Sequence, residues 1–301
     1  MLEQLMKRVL LLLLLSCASL SAQDYSPEKY AALGQLIITS FDTAPFPHPL
    51  RAKGHYYGTN FFSAAEHYQD SQVALFVPKG FRAGRKVDFV VHFHGWSQVL
   101  TNALPRYQLI DQFAASGRNA ILIVPQGPFN AKDSFDGKLE DPGGFQRFMA
   151  EAMTNLKQRN IIKSDKIGQI ILSGHSGGYE AISSIVAWGG LSDHVREVWL
   201  FDALYGNTER FVVWFDHQKG RLVDIYTEDG GTKQESENLM AALKGNQVPF
   251  FASRETNATP RDLRENRLVF LYTALPHDEV PRTHQTFREF LETSGLGAIR
   301  H

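Results

Sequence analysis

Lys166-Ile167-Gly168-Gln169-Ile170-Ile171-Leu172-Ser173 runs directly into Gly174-His175-Ser176-Gly177-Gly178, and the reading of that junction decides the fold. The first segment is apolar enough to be a buried strand. After the glycines, Ala181, Ile182, Ile185 and Val186 recur at helical spacing. Strand, G-x-S-x-G and helix together describe a nucleophile elbow, a turn so tight that its central residue takes strained backbone angles. Side chains two positions to either side would collide there, and glycine at 174 and 178 removes both collisions. Ser176 is thereby expected above the sheet edge, with the Gly177 N–H free to donate to an oxyanion.

Working outward, apolar runs alternate with helical stretches. Ser71 to Val77, Val87 to Phe93, Ala120 to Val124, Glu197 to Phe201, Leu222 to Thr227 and Leu268 to Tyr272 read as strands, as does His55 to Phe62. Several are apolar without alternation, as strands covered on both faces must be. Tyr107 to Ala115 reads as a short helix. Asp141-Pro142 reads as the start of a longer one, with Phe145, Phe148, Met149, Ala152 and Leu156 on its apolar face. Lys233 to Lys244 is helical, and Phe287, Phe290 and Leu291 face the closing helix inward. The pattern predicts an α/β protein with a doubly wound, mostly parallel sheet and flanking helices. Residues 51–301 read as one domain, and residues 23–50, with Pro45, Pro47 and Pro49, as an irregular lead-in.

The 301 residues include 31 basic and 32 acidic side chains, a net charge of -1, which offers nothing to nucleic acid. The N-terminus differs in kind. Lys7 and Arg8 precede the apolar block Val9 to Leu15, and small residues follow to Ala22, the three-part pattern of a secretory signal peptide. The block is too short to span a bilayer. Removing residues 1–22 takes Lys7, Arg8 and Glu3 away and leaves 29 basic against 31 acidic groups, or -2. The export signal is expected to be cut after Ala22. Leu14-Leu15-Ser16-Cys17 also matches a lipoprotein box, in which the signal ends at residue 16 and Cys17 carries the lipid, the one route to a membrane. Cys17 is the sole cysteine, so no intramolecular disulfide and no thiol nucleophile exist in the exported domain.

From about Val73 to Leu291 the chain resembles the α/β-hydrolase superfamily, and within it secreted serine esterases. Gly174-His175-Ser176-Gly177-Gly178 and the His94-Gly95 pair after a strand carry the resemblance. It implies an acid and then a histidine later in the chain. Two histidines follow the last strand. His277, in a Pro-bounded loop, is the expected base, and His284 the alternative. The acid is expected at Asp202, directly after an apolar strand, where a buried carboxylate needs a partner. Asp229 is the alternative, since most of the resembled family places its acid after the following strand. The resemblance also puts the second oxyanion donor in His94-Gly95-Trp96-Ser97, with the Trp96 N–H first and Gly95 second. The Trp96 indole either lines an acyl pocket or covers the core.

A serine hydroxyl becomes a nucleophile when an imidazole takes its proton and a carboxylate orients that imidazole. The expected activity is therefore hydrolysis of a carboxylic ester through an acyl-enzyme, on a small-molecule, saccharide or lipid ester and without a cofactor. Amide cleavage and a non-catalytic binding protein on the same scaffold are the alternatives. His92 and His94 share one face of a strand as zinc ligands would, but no acidic or cysteine partner stands at ligand spacing, and no metal is expected. Asp133, Asp136, Glu140 and Asp141 lack calcium-loop spacing, so Pro125 to Gly144 reads as rim above the site. The Phe211 to Phe215 run reads as a lid helix or as core packing.

Overall fold

A computed structural model describes residues 27–300. The signal segment, its cleavage point and Cys17 lie outside the described residues. Eleven strands form there: β1 (Gly34–Ser40), β2 (His55–Tyr57), β3 (Asn60–Phe62), β4 (Gln72–Pro78), β5 (Val87–Phe93), β6 (Ile121–Pro125), β7 (Ile167–His175), β8 (Val195–Phe201), β9 (Arg221–Tyr226), β10 (Phe251–Arg254) and β11 (Leu268–Tyr272). Nine of them make one sheet in the order β1-β4-β6-β5-β7-β8-β9-β11-β10. Every pairing from β6 to β10 is parallel, while β4 runs antiparallel to both β1 and β6.

The apolar runs are unbroken because the sheet is covered on both faces. Along β5, Val87, Phe89, Val91 and Phe93 point into one core layer and Val90 into the other. Along β8, Val198 and Leu200 face the first layer, and Trp199 and Phe201 the second. Helices Gly144–Gln158, Tyr179–Trp188, Thr208–Gln218 and Lys233–Gly245 cover the first face. Leu100–Arg106, Leu109–Ala115 and Thr286–Glu292 cover the second. Among the described residues no helix is long and apolar enough to cross a membrane.

Several boundaries differ from expectation. The lead-in is not irregular throughout, because Gly34–Ser40 pairs with β4 along its whole length and belongs to the sheet. His55 to Phe62 is not one strand but a small hairpin, β2–β3, apart from the main sheet, because Gly58 turns the chain with φ +58°. The helix expected at Asp141-Pro142 begins at Gly144, since Gly143 takes φ +67° and the Asp141 carboxylate is drawn to His48 at 3.3 Å. Strand β10 was not expected at all. In the Phe211 run, Phe211 and Trp214 are buried against the core, which makes helix Thr208–Gln218 packing rather than lid.

Candidate active site

The elbow serine, both candidate acids, His277 and the His94–Trp96 loop lie at the carboxyl ends of the parallel strands, where side chains escape the sheet and loops converge. Gly95 follows β5, Ser176 follows β7, Asp202 follows β8, Thr227 to Gly230 follow β9 and His277 follows β11. Gly95, Trp96, Ser134, His175, Ser176, Gly177, Tyr179, Tyr205, Gly230, His277 and Asp278 line one cavity of about 530 Å³, with Gln98 and Tyr107 completing its wall.

Ser176 sits in the left-handed region at φ +54° and opens the single turn Ser176–Gly178 that leads into helix Tyr179–Trp188. The expected close packing is present. A Cβ on Gly178 would stand 2.6 Å from the Phe93 carbonyl, and one on Gly174 would stand 2.7 Å from Ile182. Gly95 is pressed against the serine itself, where a Cβ would fall 2.6 Å from Ser176 Cβ and 3.1 Å from its Oγ.

Asp202 is fully buried, at φ +46°, and its Oδ2 lies 2.5 Å from His277 Nδ1. Thr227 donates twice to the same carboxylate, from its N–H at 3.1 Å to Oδ1 and from its hydroxyl at 2.9 Å to Oδ2; the Thr232 hydroxyl donates to Oδ1. Burial alone would raise this carboxyl's pKa, but the hydrogen bonds from His277, Thr232 and Thr227 outweigh it and hold it below the usual carboxylate range. Gly230 closes over the pair: a Cβ there would stand 1.7 Å from Asp202 Oδ2 and 2.5 Å from His277 Nδ1.

Asp229 is placed differently. Its Oδ2 accepts from the His277 backbone N–H at 2.9 Å and does not meet the ring. His284 lies away from the cavity and pairs with the buried Glu255 at 3.0 Å. Ser176 and His277 face the same cavity without a direct hydrogen bond between them among the described residues, a spacing common in unliganded sites that tighten on substrate.

The loop after β5 is fixed by a buried histidine. His94 donates from Nδ1 to the Gly95 carbonyl at 2.9 Å, while its Nε2 accepts from the Gly127 N–H at 3.1 Å and from Gln126 Nε2 at 3.0 Å. Burial lowers its pKa, consistent with a neutral ring that donates on one side and accepts on the other. A trans peptide points its C=O and N–H in opposite directions, so holding the Gly95 carbonyl also aims the Trp96 N–H. Ser97 N–H is occupied by the Ala131 carbonyl. The Trp96 indole lines the cavity rather than covering core, donating to Ser134 Oγ at 2.7 Å and meeting Tyr57 edge-on at 4.9 Å. Ser134 is how the Pro125 to Gly144 loop reaches the rim. His92, by contrast, is buried in the sheet beside Ser173 Oγ at 2.9 Å, and burial pushes its pKa to about 3.

Sequence reasoning did not single out Tyr107, Ser134, Tyr179, Tyr205, Gly230 or His175 as functional. Tyr205 had a signal, standing three residues past Asp202; its hydroxyl donates to the Gly230 carbonyl at 2.6 Å. His175, Tyr179 and Gly230 stand within three residues of Ser176 or Asp229, while Tyr107 and Ser134 are brought in from distant elements and carry no local mark.

Sheet order, strand-end site and elbow together define an α/β-hydrolase fold. No family profile matches the chain, and no curated protein matches its sequence. Solved structures share the fold. A mutant feruloyl esterase module from Clostridium thermocellum in complex with sinapinate is 11% identical, with 92% of each chain covered and a TM-score of 0.55. A ferulic acid esterase is 13% identical, over 86% of this chain and 98% of its own, with a TM-score of 0.53.

Proposed function

We propose that this protein is an exported serine hydrolase that cleaves a carboxylic ester through an acyl-enzyme. The observation that carries the reading is the 2.5 Å contact of buried Asp202 with His277, whose half-buried ring lines the same cavity as the elbow serine. In this reading His277 takes the Ser176 proton as Oγ attacks the ester carbonyl. Asp202 holds the ring so that Nδ1 carries its proton and Nε2 presents a lone pair, and it stabilises the imidazolium that forms. The N–H groups of Gly177 and Trp96 receive the developing oxyanion, with Gly95 giving the carbonyl room to approach. His277 then protonates the leaving alkoxide, water enters, and the same steps in reverse order release the acid and restore Ser176. Trp96, Tyr107, Tyr179 and Tyr205 give the cavity aromatic walls, and esterases of the same fold include one that holds sinapinate and one named for ferulic acid. An ester with a flat organic acyl group suits those walls.

The test is labelling of the mature protein with a fluorophosphonate, mapped by mass spectrometry, alongside turnover of p-nitrophenyl and hydroxycinnamate esters and of matched anilides. Label on Ser176, absent in His277→Ala, with ester turnover well above anilide turnover, supports the reading. Folded wild-type protein that neither labels nor turns over would sink it. Export is tested by the mature N-terminus: Gln23 marks ordinary cleavage, and an acylated Cys17 marks the lipoprotein route.

A further inference from the structure

His175, the second residue of the elbow motif, has no part in the mechanism above, yet it is almost wholly buried and polar on both sides. One ring nitrogen, Nε2, lies 3.0 Å from the main-chain carbonyl of His277. The other, Nδ1, lies 3.1 Å from the Tyr107 hydroxyl. A carbonyl can only accept, so Nε2 carries the proton and Nδ1 is left to accept from Tyr107. The two imidazoles also meet at a tilt, their centroids 4.5 Å apart and their planes 36° apart.

His277 stands in the loop after β11, where no strand or long helix fixes its backbone. Its N–H is held by Asp229, its ring by Asp202 and its carbonyl by His175. The last hold comes from the residue next to Ser176 along the chain. We propose that His175 is a positioning residue that ties the main chain of the base to the nucleophile's own turn, setting the distance between His277 Nε2 and Ser176 Oγ. The proposal rests on Ser176 and His277 being nucleophile and base. A neutral ring suits the task, because a cation in contact with the His277 ring would oppose the imidazolium formed in catalysis. Burial and the neighbouring His277 together push the His175 pKa down to about 4.

Side-chain topology supplies the test. The amide nitrogen of glutamine stands at the same bond count from Cβ as histidine Nε2, and that of asparagine at the count of Nδ1. His175→Gln keeps a donor for the His277 carbonyl; His175→Asn and His175→Leu do not. Steady-state kinetics on a p-nitrophenyl ester are measured for these three, the wild type and His277→Ala, with circular dichroism and melting curves for each. A misplacement of about 1 Å costs roughly 100-fold in rate, so His175→Leu and His175→Asn are expected to lose about 10- to 100-fold in kcat. KM should stay within about threefold, because the interaction lost is not with substrate. His175→Gln should recover most of the kcat. Folded His175→Leu with wild-type kcat, or equal kcat for the Gln and Asn variants, overturns the proposal. If His175→Leu does not fold, the Gln and Asn pair decides alone. An active His277→Ala would instead overturn the assignment of the base, a separate failure.

Discussion

Replacing Asp202 by asparagine separates the two candidate acids, and the surrounding donors dictate how the amide must sit. The Thr227 backbone N–H cannot reverse its role, and it donates to Oδ1, where the Thr232 hydroxyl also donates. The asparagine carbonyl must therefore occupy the Oδ1 position, which turns the NH₂ toward His277 Nδ1 and the Thr227 hydroxyl. That hydroxyl can rotate and accept. The imidazole can accept only by moving its proton from Nδ1 to Nε2, and it then offers Ser176 a proton instead of a lone pair. Loss of the charge-assisted hydrogen bond alone removes about 1.5–3 kcal/mol. The tautomer change brings the expected loss in kcat to about 10⁴-fold, the size found for this substitution in a serine protease triad. Asp229→Asn keeps an oxygen for the His277 N–H, so its kcat/KM should fall by less than about tenfold. The assay is ester turnover with parallel fluorophosphonate labelling rates, on variants shown to be folded. Asp202→Asn within tenfold of wild type, or Asp229→Asn falling as far as Asp202→Asn, refutes the reasoning.

Gly230→Ala would drive a methyl group onto Asp202 Oδ2 and His277 Nδ1, and is expected to lower kcat/KM at least about 100-fold while the circular dichroism spectrum stays native. His284→Ala should leave the labelling rate of Ser176 within about threefold of wild type, yet lower the melting temperature, because buried Glu255 loses a partner. Asp224 is fully buried in β9 with Oδ1 unpaired, and burial raises its pKa from 3.8 to about 7. A carboxyl raised in the folded state binds its proton more tightly there, so its penalty is absent below pH 3.8 and grows as pH rises toward 7. Asp224→Asn should therefore gain melting temperature over wild type progressively across that window; a gap independent of pH would contradict this.

The fold was legible where burial on two faces leaves a mark on the sequence. The run Val87 to Phe93 is apolar because alternate residues feed opposite core layers, and its limits coincide with β5. Strands β1 and β10 escaped because they are sheet edges: Gly34 to Ser40 is mostly half-exposed, and Phe251 to Arg254 alternates over only four residues. Ser176 was legible because an elbow is a local object, written in five consecutive residues. The acid was not, because Asp202 and Asp229 both converge on His277. They differ only in whether they meet its ring or its backbone, a matter of tertiary geometry. His175 was quoted as part of the motif without a role, since its partner carbonyl stands 102 residues away.

Ser176 and Asp202 are both non-glycine residues in left-handed backbone, at φ +54° and +46°, where a side chain is strained. Each such residue costs on the order of 1–3 kcal/mol, which the rest of the fold must offset. Glycine at position 176 would relieve part of that strain and, in the reading proposed above, remove the nucleophile in one substitution. Thermodynamics and chemistry thus pull in opposite directions at this position. In the reading proposed above, the serine at this position is kept by its chemistry against a backbone preference for glycine.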